Sequence, residues 1–319
     1  MIDDTLPQFE LVKVARLEGT DRTLRKRFER GEVVRVRAGV YLPREVWASL
    51  DGDGRYRARV AAAATALGEG SQFSHDSAAS IWRLPSLGSW PRDLHVLGAR
   101  SSGGRSNPGL RYHGVGFDDT PTVVNGFRIT SLVRTVLDIA CTSRFDRAVC
   151  MADDALRAPA EGDYRHQHSI GAVELSELRS ALAGLAPYYG SVRASRVIEF
   201  ANGKSGSIGE SLSRVTMHTL GFPPPELQVP FSDDEGFIGF VDFYWPELDL
   251  IGEFDGYVKY RDPKYLRGRS PEQVVIDEKI REDRLRRVSR AFARWDWTVA
   301  RDRNRLADRL SAHGLVRTR

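Results

Sequence analysis

Residues 241–260, VDFYWPELDLIGEFDGYVKY, restrict the possible folds more than any other stretch. Two short runs rich in aromatic and branched residues flank Pro246, which favours a turn, so the pattern reads as two strands joined there. Side chains alternate along a strand, so Ile251, Glu253 and Asp255 share one face and Leu250, Gly252 and Phe254 the other. Two carboxylates two residues apart on one face repel, and a bound cation relieves that repulsion. An antiparallel hairpin can bring Asp242 towards the pair. Three converging carboxylates suit a hard cation such as magnesium or manganese. A plainer reading stands beside this one: Asp255-Gly256 is a turn signature, and Asp242 suits the surface of an edge strand.

The surrounding order is α β β β α β α. Ser207-Ile208-Gly209-Glu210 opens a helix that runs to about Leu220, with Leu212, Val215 and Thr219 inward and Gly221 as its stop. Ser207 and Glu210 fit a capping box, which accounts for Glu210 locally; its participation with the other acids is the alternative. LQVPF is the first strand, and the hairpin supplies the next two. A basic loop, YRDPKYLRGR, follows. Ser270 then caps a long helix with Pro271 in its first turn. WTVAR reads as a late strand, and a final helix runs from about Asp302 to His313. Gly203-Lys204-Ser205 is not a phosphate loop, because Ile198 stands where that motif needs glycine and a helix precedes it.

At the N-terminus, FELVKVARLEG reads as one helix and TDRTLRKRFERG as a second, with Leu24 and Phe28 one turn apart. EVVRVRAGVYLP then alternates and turns at Ala38-Gly39. Helix, basic helix and basic hairpin make a winged helix-turn-helix over residues 1–45. Arg22, Thr23, Arg25, Lys26 and Arg27 are the candidates to reach DNA from the helix, and Arg35 and Arg37 from the wing. A solvated basic cap is the plain alternative.

Residues 46–190 form a middle α/β segment. Its helices are RYRARVAAAATALGEG, SHDSAASIWRLP and SLVRTVLDIACTS, and its strands DLHVLG and FRITS. His75 and Asp76 are expected at a helix start, where Ser74 or Asp76 caps. Arg134 and Asp138, one turn apart, are expected as a surface pair.

Charge sharpens this division. Residues 1–44 carry about +3, residues 45–255 about −8 and residues 256–319 about +9. Basic ends suit a polyanion. No apolar run is long enough to span a bilayer, no signal-peptide pattern opens the chain, and Cys141 and Cys150 lack metal-ligand spacing. A cytoplasmic protein with no membrane partner is expected.

The series LRKRFERGEVVRVRAGVYLP, SHDSAASIWRLP and SLVRTVLDIA resembles the AbiEi-type antitoxins of type IV toxin–antitoxin systems. That resemblance implies DNA binding by the first segment and repression of the protein's own operon. It leaves a toxin partner open, because these residues do not show that the chain has one. From about residue 195 to 312, SIGES, VDFYWPELDLIGEFDGYVK, EDRLRR and WTVAR resemble the very-short-patch-repair-like endonuclease domains of the PD-(D/E)XK superfamily. The resemblance assigns metal binding to Glu210, Asp242 and Glu253. Asp255 stands where the superfamily usually has lysine, and Lys259 where relatives of this subtype have histidine. Lysine is a poor general base near neutral pH unless its pKa is lowered.

The expected fold class is therefore α/β and multidomain. It comprises a winged helix-turn-helix (1–45), an AbiEi-like α/β domain (46–190) and a restriction-endonuclease-like core with a mixed sheet (191–319). The expected function is metal-dependent phosphodiester hydrolysis on double-stranded DNA, in phage defence or repair. Asp242, Glu253 and Asp255 would hold Mg2+ or Mn2+, Lys259 would face the phosphate, and Arg284 would track the backbone. For Arg284 a helix-surface ion pair with its neighbours Glu282 or Asp283 is equally open. The alternative function is an antitoxin-like regulator whose nuclease fold has lost catalysis.

Overall fold

A computed structural model describes residues 12–13, 21–67, 70–98, 109–114, 119–159, 170–185, 189–256 and 270–318. Twelve strands and twelve α-helices are seen among them. In chain order they are β1 (Val12–Lys13), α1 (Asp21–Glu29), β2 (Val33–Arg37), β3 (Val40–Pro43), α2 (Arg44–Ser49) and α3 (Gly52–Leu67). Next come β4 (Gln72–Phe73), α4 (His75–Ile81), β5 (Leu94–Gly98), β6 (Leu110–Gly114), β7 (Thr122–Val124) and β8 (Phe127–Ile129). Then follow α5 (Leu132–Thr142), α6 (Phe145–Leu156), α7 (Leu175–Ala183), α8 (Ser191–Phe200) and α9 (Ile208–Leu220). The last are β9 (Glu226–Asp233), β10 (Gly236–Trp245), β11 (Leu250–Asp255), α10 (Pro271–Arg287), β12 (Ala291–Asp296), α11 (Trp297–Ala300) and α12 (Arg303–Ser311). The protein is thus α/β with mixed sheets. No helix among the described residues is long and apolar enough to cross a membrane.

The chain divides into two compact units, residues 1–144 with 158–199, and residues 145–157 with 200–319. The first unit holds two sheets, β1-β3-β2 and β6-β5-β4-β8-β7. The hairpin predicted at 32–43 forms, with Val34 opposite Leu42 and an irregularity between Arg35 and Arg37. The first predicted helix does not form at its centre. Val12 and Lys13 instead pair with Tyr41 and Val40. That pairing satisfies the outer edge of β3, which a free hairpin would leave open. The rest of FELVKVARLEG lies outside the described residues.

Two local expectations in this unit change as well. Ser74 occupies the cap position of α4, but its side chain caps nothing; its Oγ lies 3.0 Å from His75 Nδ1 instead. Arg134 and Asp138 do pair, at 2.8 Å, but both are buried, 2% and 7% exposed. Helical spacing predicts that two side chains meet but not which way they face, and here α5 is buried over nearly its whole length.

The second unit is built on the sheet β12-β11-β10-β9. β9, β10 and β11 are antiparallel, while β11 and β12 are parallel, from Leu250 opposite Ala291 to Asp255 opposite Asp296. The parallel pair requires a crossover, and α10 lies within it. Gly252 sits against Trp245 and Trp295 on one face, and Trp295 donates to Ser213 on α9 at 2.9 Å. Ile251 and Phe292 pack with Leu285 of α10. Burying Trp245, Phe243 and Leu250 fully contributes roughly 2–3 kcal/mol each. The late strand spans AFARWD rather than WTVAR. Asp296 ends it by accepting from Thr298 N and Val299 N, which starts α11.

Candidate functional site

The predicted acids lie where α9 approaches the centre of the β9–β10–β11 meander. Ser207 caps α9, its Oγ accepting from Glu210 N at 3.2 Å. Glu210 returns the contact in the manner of a capping box. Its Oε2 accepts from Gly206 N at 2.7 Å and its Oε1 from Ser207 Oγ at 2.8 Å. Glycine at 209 permits this approach, because a Cβ there would lie 2.0 Å from the Phe254 ring. The helix N-terminus therefore rests on β11, and Glu210 is buried beside the sheet.

A residue absent from the sequence expectations connects the acids. Gln228 Nε2 lies 3.2 Å from Glu210 Oε2 and 3.3 Å from Asp242 Oδ1. One amide thus donates to both carboxylates. Gln228 has φ +53, a left-handed conformation costing a non-glycine residue roughly 1 kcal/mol or more. Asp242 also accepts, through Oδ2, from Phe254 N at 2.8 Å. That bond holds the carboxylate at the point where the β10–β11 ladder ends.

Glu253 and Asp255 share the face turned to α10, as alternation predicts, and each is held by an arginine. Arg281 donates to both oxygens of Glu253, at 2.7 and 3.2 Å, and to Phe240 O at 2.8 Å. Burial disfavours the Arg281 charge, but the Glu253 bonds outweigh it and raise the guanidinium pKa. Arg294 reaches Asp255 Oδ2 at 3.1 Å, Glu278 at 2.6 Å and Glu282 at 2.8 Å. Asp255 Oδ1 is buried and accepts no hydrogen bond among the described residues.

The structure thus joins Glu210 to Asp242 and gives Glu253 and Asp255 to cations of the chain. Among the described residues, ligand atoms converging within 4.8 Å belong to His75, His95 and His113 and to Asp233, Asp234 and Glu235, not to Asp242, Glu253 and Asp255. Lys259 lies outside the described residues. Arg284 forms an ion pair, but with Asp233 of β9 rather than on the helix surface with Glu282 or Asp283: its Nε donates to Asp233 Oδ2 at 2.8 Å, its Nη2 bonds Asp233 Oδ1, and it also reaches Gly236 O at 3.1 Å. Sequence spacing offers no signal for Gln228, Arg281 or Arg294, because their contacts close over 14 to 28 residues or across the parallel β11–β12 pair.

In the first unit α1 and the β2–β3 hairpin form as predicted. Arg25 pairs with Glu29 at 3.0 Å and Arg27 with Glu32 at 3.3 Å. Lys26 and Arg35 are exposed and Arg37 is half-buried; none of the three forms an ion pair among the described residues. The side chains of Arg22 and Thr23 lie outside the described residues.

No family model matches the chain. It is 27% identical over 198 residues to an uncharacterized protein of Mycobacterium tuberculosis, in strain CDC 1551 / Oshkosh and in strain ATCC 25618 / H37Rv. The match covers 60% of this chain and 63% of each relative.

Proposed function

We propose that the chain is a DNA-binding protein whose second unit is a metal-dependent nuclease-like module acting on phosphodiesters. The observation that carries this reading is Gln228, a single amide donating to both Glu210 and Asp242 at the end of a split hairpin. A strained residue bridging two carboxylates is a costly way to build a plain hairpin, and strain of this kind concentrates at functional sites. The α β β β α β order and the parallel β11–β12 pair also agree with the endonuclease resemblance.

The donor atoms are of the type a hard cation takes, but the oxygens of Asp242, Glu253 and Asp255 do not converge within 4.8 Å here, so gathering them on one ion requires Arg281 and Arg294 to give way. Asp242 and Glu253 offer oxygen donors, and the buried Asp255 Oδ1 has no donor among the described residues. Bound there, Mg2+ or Mn2+ would polarise the phosphate and acidify a water. The chain's part is to hold the carboxylates in place: Phe254 N and Gln228 fix Asp242, and Gly206 N and Ser207 fix Glu210. An ion held by Glu253 would compete with Arg281, which now donates to both Glu253 oxygens, and Arg281 would then be a cation available to the nucleic-acid phosphate. On the first unit, α1 and the wing would position the duplex through Lys26, Arg35 and Arg37.

The test is cleavage of plasmid and single-stranded DNA with Mg2+ or Mn2+, comparing the parent chain with Asp242→Asn and Glu253→Gln. Loss of cleavage in both is expected; cleavage that survives in both overturns the assignment. One observation favours a second reading, an antitoxin-like regulator without catalysis: Arg281 already neutralises Glu253 with two hydrogen bonds. Operator binding without cleavage of any substrate would select it.

A further inference from the structure

We propose that His75, His95 and His113 of the first unit form a second, separate site, for a transition-metal cation of the zinc class. The three come from different elements. His75 opens α4, His95 lies in β5 and His113 in β6. β5 and β6 are parallel, with Leu97 opposite His113. His95 and Leu97 share a face, so both histidines rise from the same side of that sheet. His75 is carried to them from the start of α4, at φ +47, a conformation costly for any residue but glycine.

The three rings cluster in nearly parallel planes. Their centroids lie 3.7 Å apart for His75 and His113, 5.0 Å for His95 and His113, and 5.5 Å for His75 and His95. His95 Nδ1 is 2.8 Å from His113 Nε2, and one nitrogen from each ring falls within 4.8 Å of the others. Two of the rings are buried and the third is half-buried. Aromatic packing alone would be met by phenyl rings, without lone pairs to satisfy. The nitrogen lone pairs lie in the ring planes, and the approach of one ring-edge nitrogen from each imidazole gathers donors that a single cation can accept.

The outer groups fit a metal site too. Asp138 Oδ2 is buried, has no hydrogen-bond donor within bonding geometry among the described residues and lies 3.5 Å from His75 Nδ1. Asp76 Oδ2 lies 3.8 Å from His95 Nε2. Each carboxylate thus faces the ring nitrogen opposite the one offered to an ion, or, for His75, the one beside Ser74. Histidine ligands usually give their second nitrogen to such a partner, which fixes the tautomer and strengthens the ligand. Arg134 in turn holds Asp138 through its other oxygen, at 2.8 Å. Three neutral nitrogens select zinc, cobalt, nickel or copper over magnesium or calcium, and leave a fourth position open. Nothing in this assignment depends on the carboxylate site of the second unit.

The experiment is titration of the chelator-treated full chain with Co2+, read by its visible absorption, followed by competition with Zn2+. One ion per chain is expected, displaced by Zn2+ and not by Mg2+. His113→Gln and His95→Gln should each weaken binding by more than the ~10–100-fold expected when a supporting carboxylate is removed in Asp138→Asn. Circular dichroism checks that the variants fold. If either variant fails to fold, X-ray absorption on the zinc-loaded parent decides: three imidazole nitrogens at about 2.0–2.1 Å support the site, and a shell of oxygens alone overturns it. Absence of stoichiometric Co2+ binding, or affinity unchanged from the parent in both folded histidine variants, also overturns it.

Discussion

Arg281→Met separates the two roles that the second unit can play. In the folded chain Glu253 is 9% exposed along its side chain and receives two bonds from Arg281, itself 30% exposed. Removing one partner of a buried ion pair costs roughly 3–5 kcal/mol. The partial exposure of Arg281 lets water reach the stranded carboxylate, which lowers the expected loss to about 2–3 kcal/mol. For a unit of this size that is a fall in Tm of roughly 10 °C. A divalent cation that takes the vacated place should reverse the loss, because an ion at 100 times its Kd returns about 2.7 kcal/mol. The assay is chemical and thermal denaturation of parent and variant, each with chelator and with Mn2+. The variant should gain most of its lost stability on adding Mn2+, the parent should gain much less, and Asp242→Asn in the variant background should abolish the gain. A variant as stable as the parent would refute the energetic reading of the Arg281–Glu253 pair. Equal Mn2+ stabilisation of parent and variant would refute the claim that Arg281 and the ion compete.

Three further outcomes test other links. Gly209→Ala places a methyl 2.0 Å from the Phe254 ring and should cost at least ~2 kcal/mol in a denaturant melt; Phe254→Leu in the same chain should recover part of it. Gln228→Leu removes the amide shared by Glu210 and Asp242, so it should lower any metal-dependent cleavage at least ~10-fold while far-UV dichroism stays unchanged. Arg35→Ala and Arg37→Ala should each weaken duplex binding about equally across sequences and reduce the salt slope by about 1, measured by fluorescence anisotropy against salt concentration.

The sequence by itself determined the features that depend on near neighbours. Ser207, Ser270 and Gly221 set helix ends because a cap acts within one turn. Period-two alternation placed Ile251, Glu253 and Asp255 on one face, where Leu285, Arg281 and Arg294 now meet them. The same local reasoning missed Val12–Lys13, whose conformation is set by a strand edge 27 to 29 residues away. It also set the last strand a few residues late, because Trp297 and Val299 suit a strand in isolation while Asp296 caps a helix.

Tertiary structure alone decided what the acids touch. Gln228 reaches Asp242 across the sheet, and Arg281 reaches Glu253 from a helix 28 residues further along the chain. It also turned His75 from a helix-start residue into one of three clustered imidazoles, with partners 20 and 38 positions further on. Helical and strand periods record which side of an element is apolar. They carry no record of which polar groups on different elements are brought within hydrogen-bond distance, since that follows from sheet order and packing. The residues that carry this protein's candidate chemistry are of that second kind.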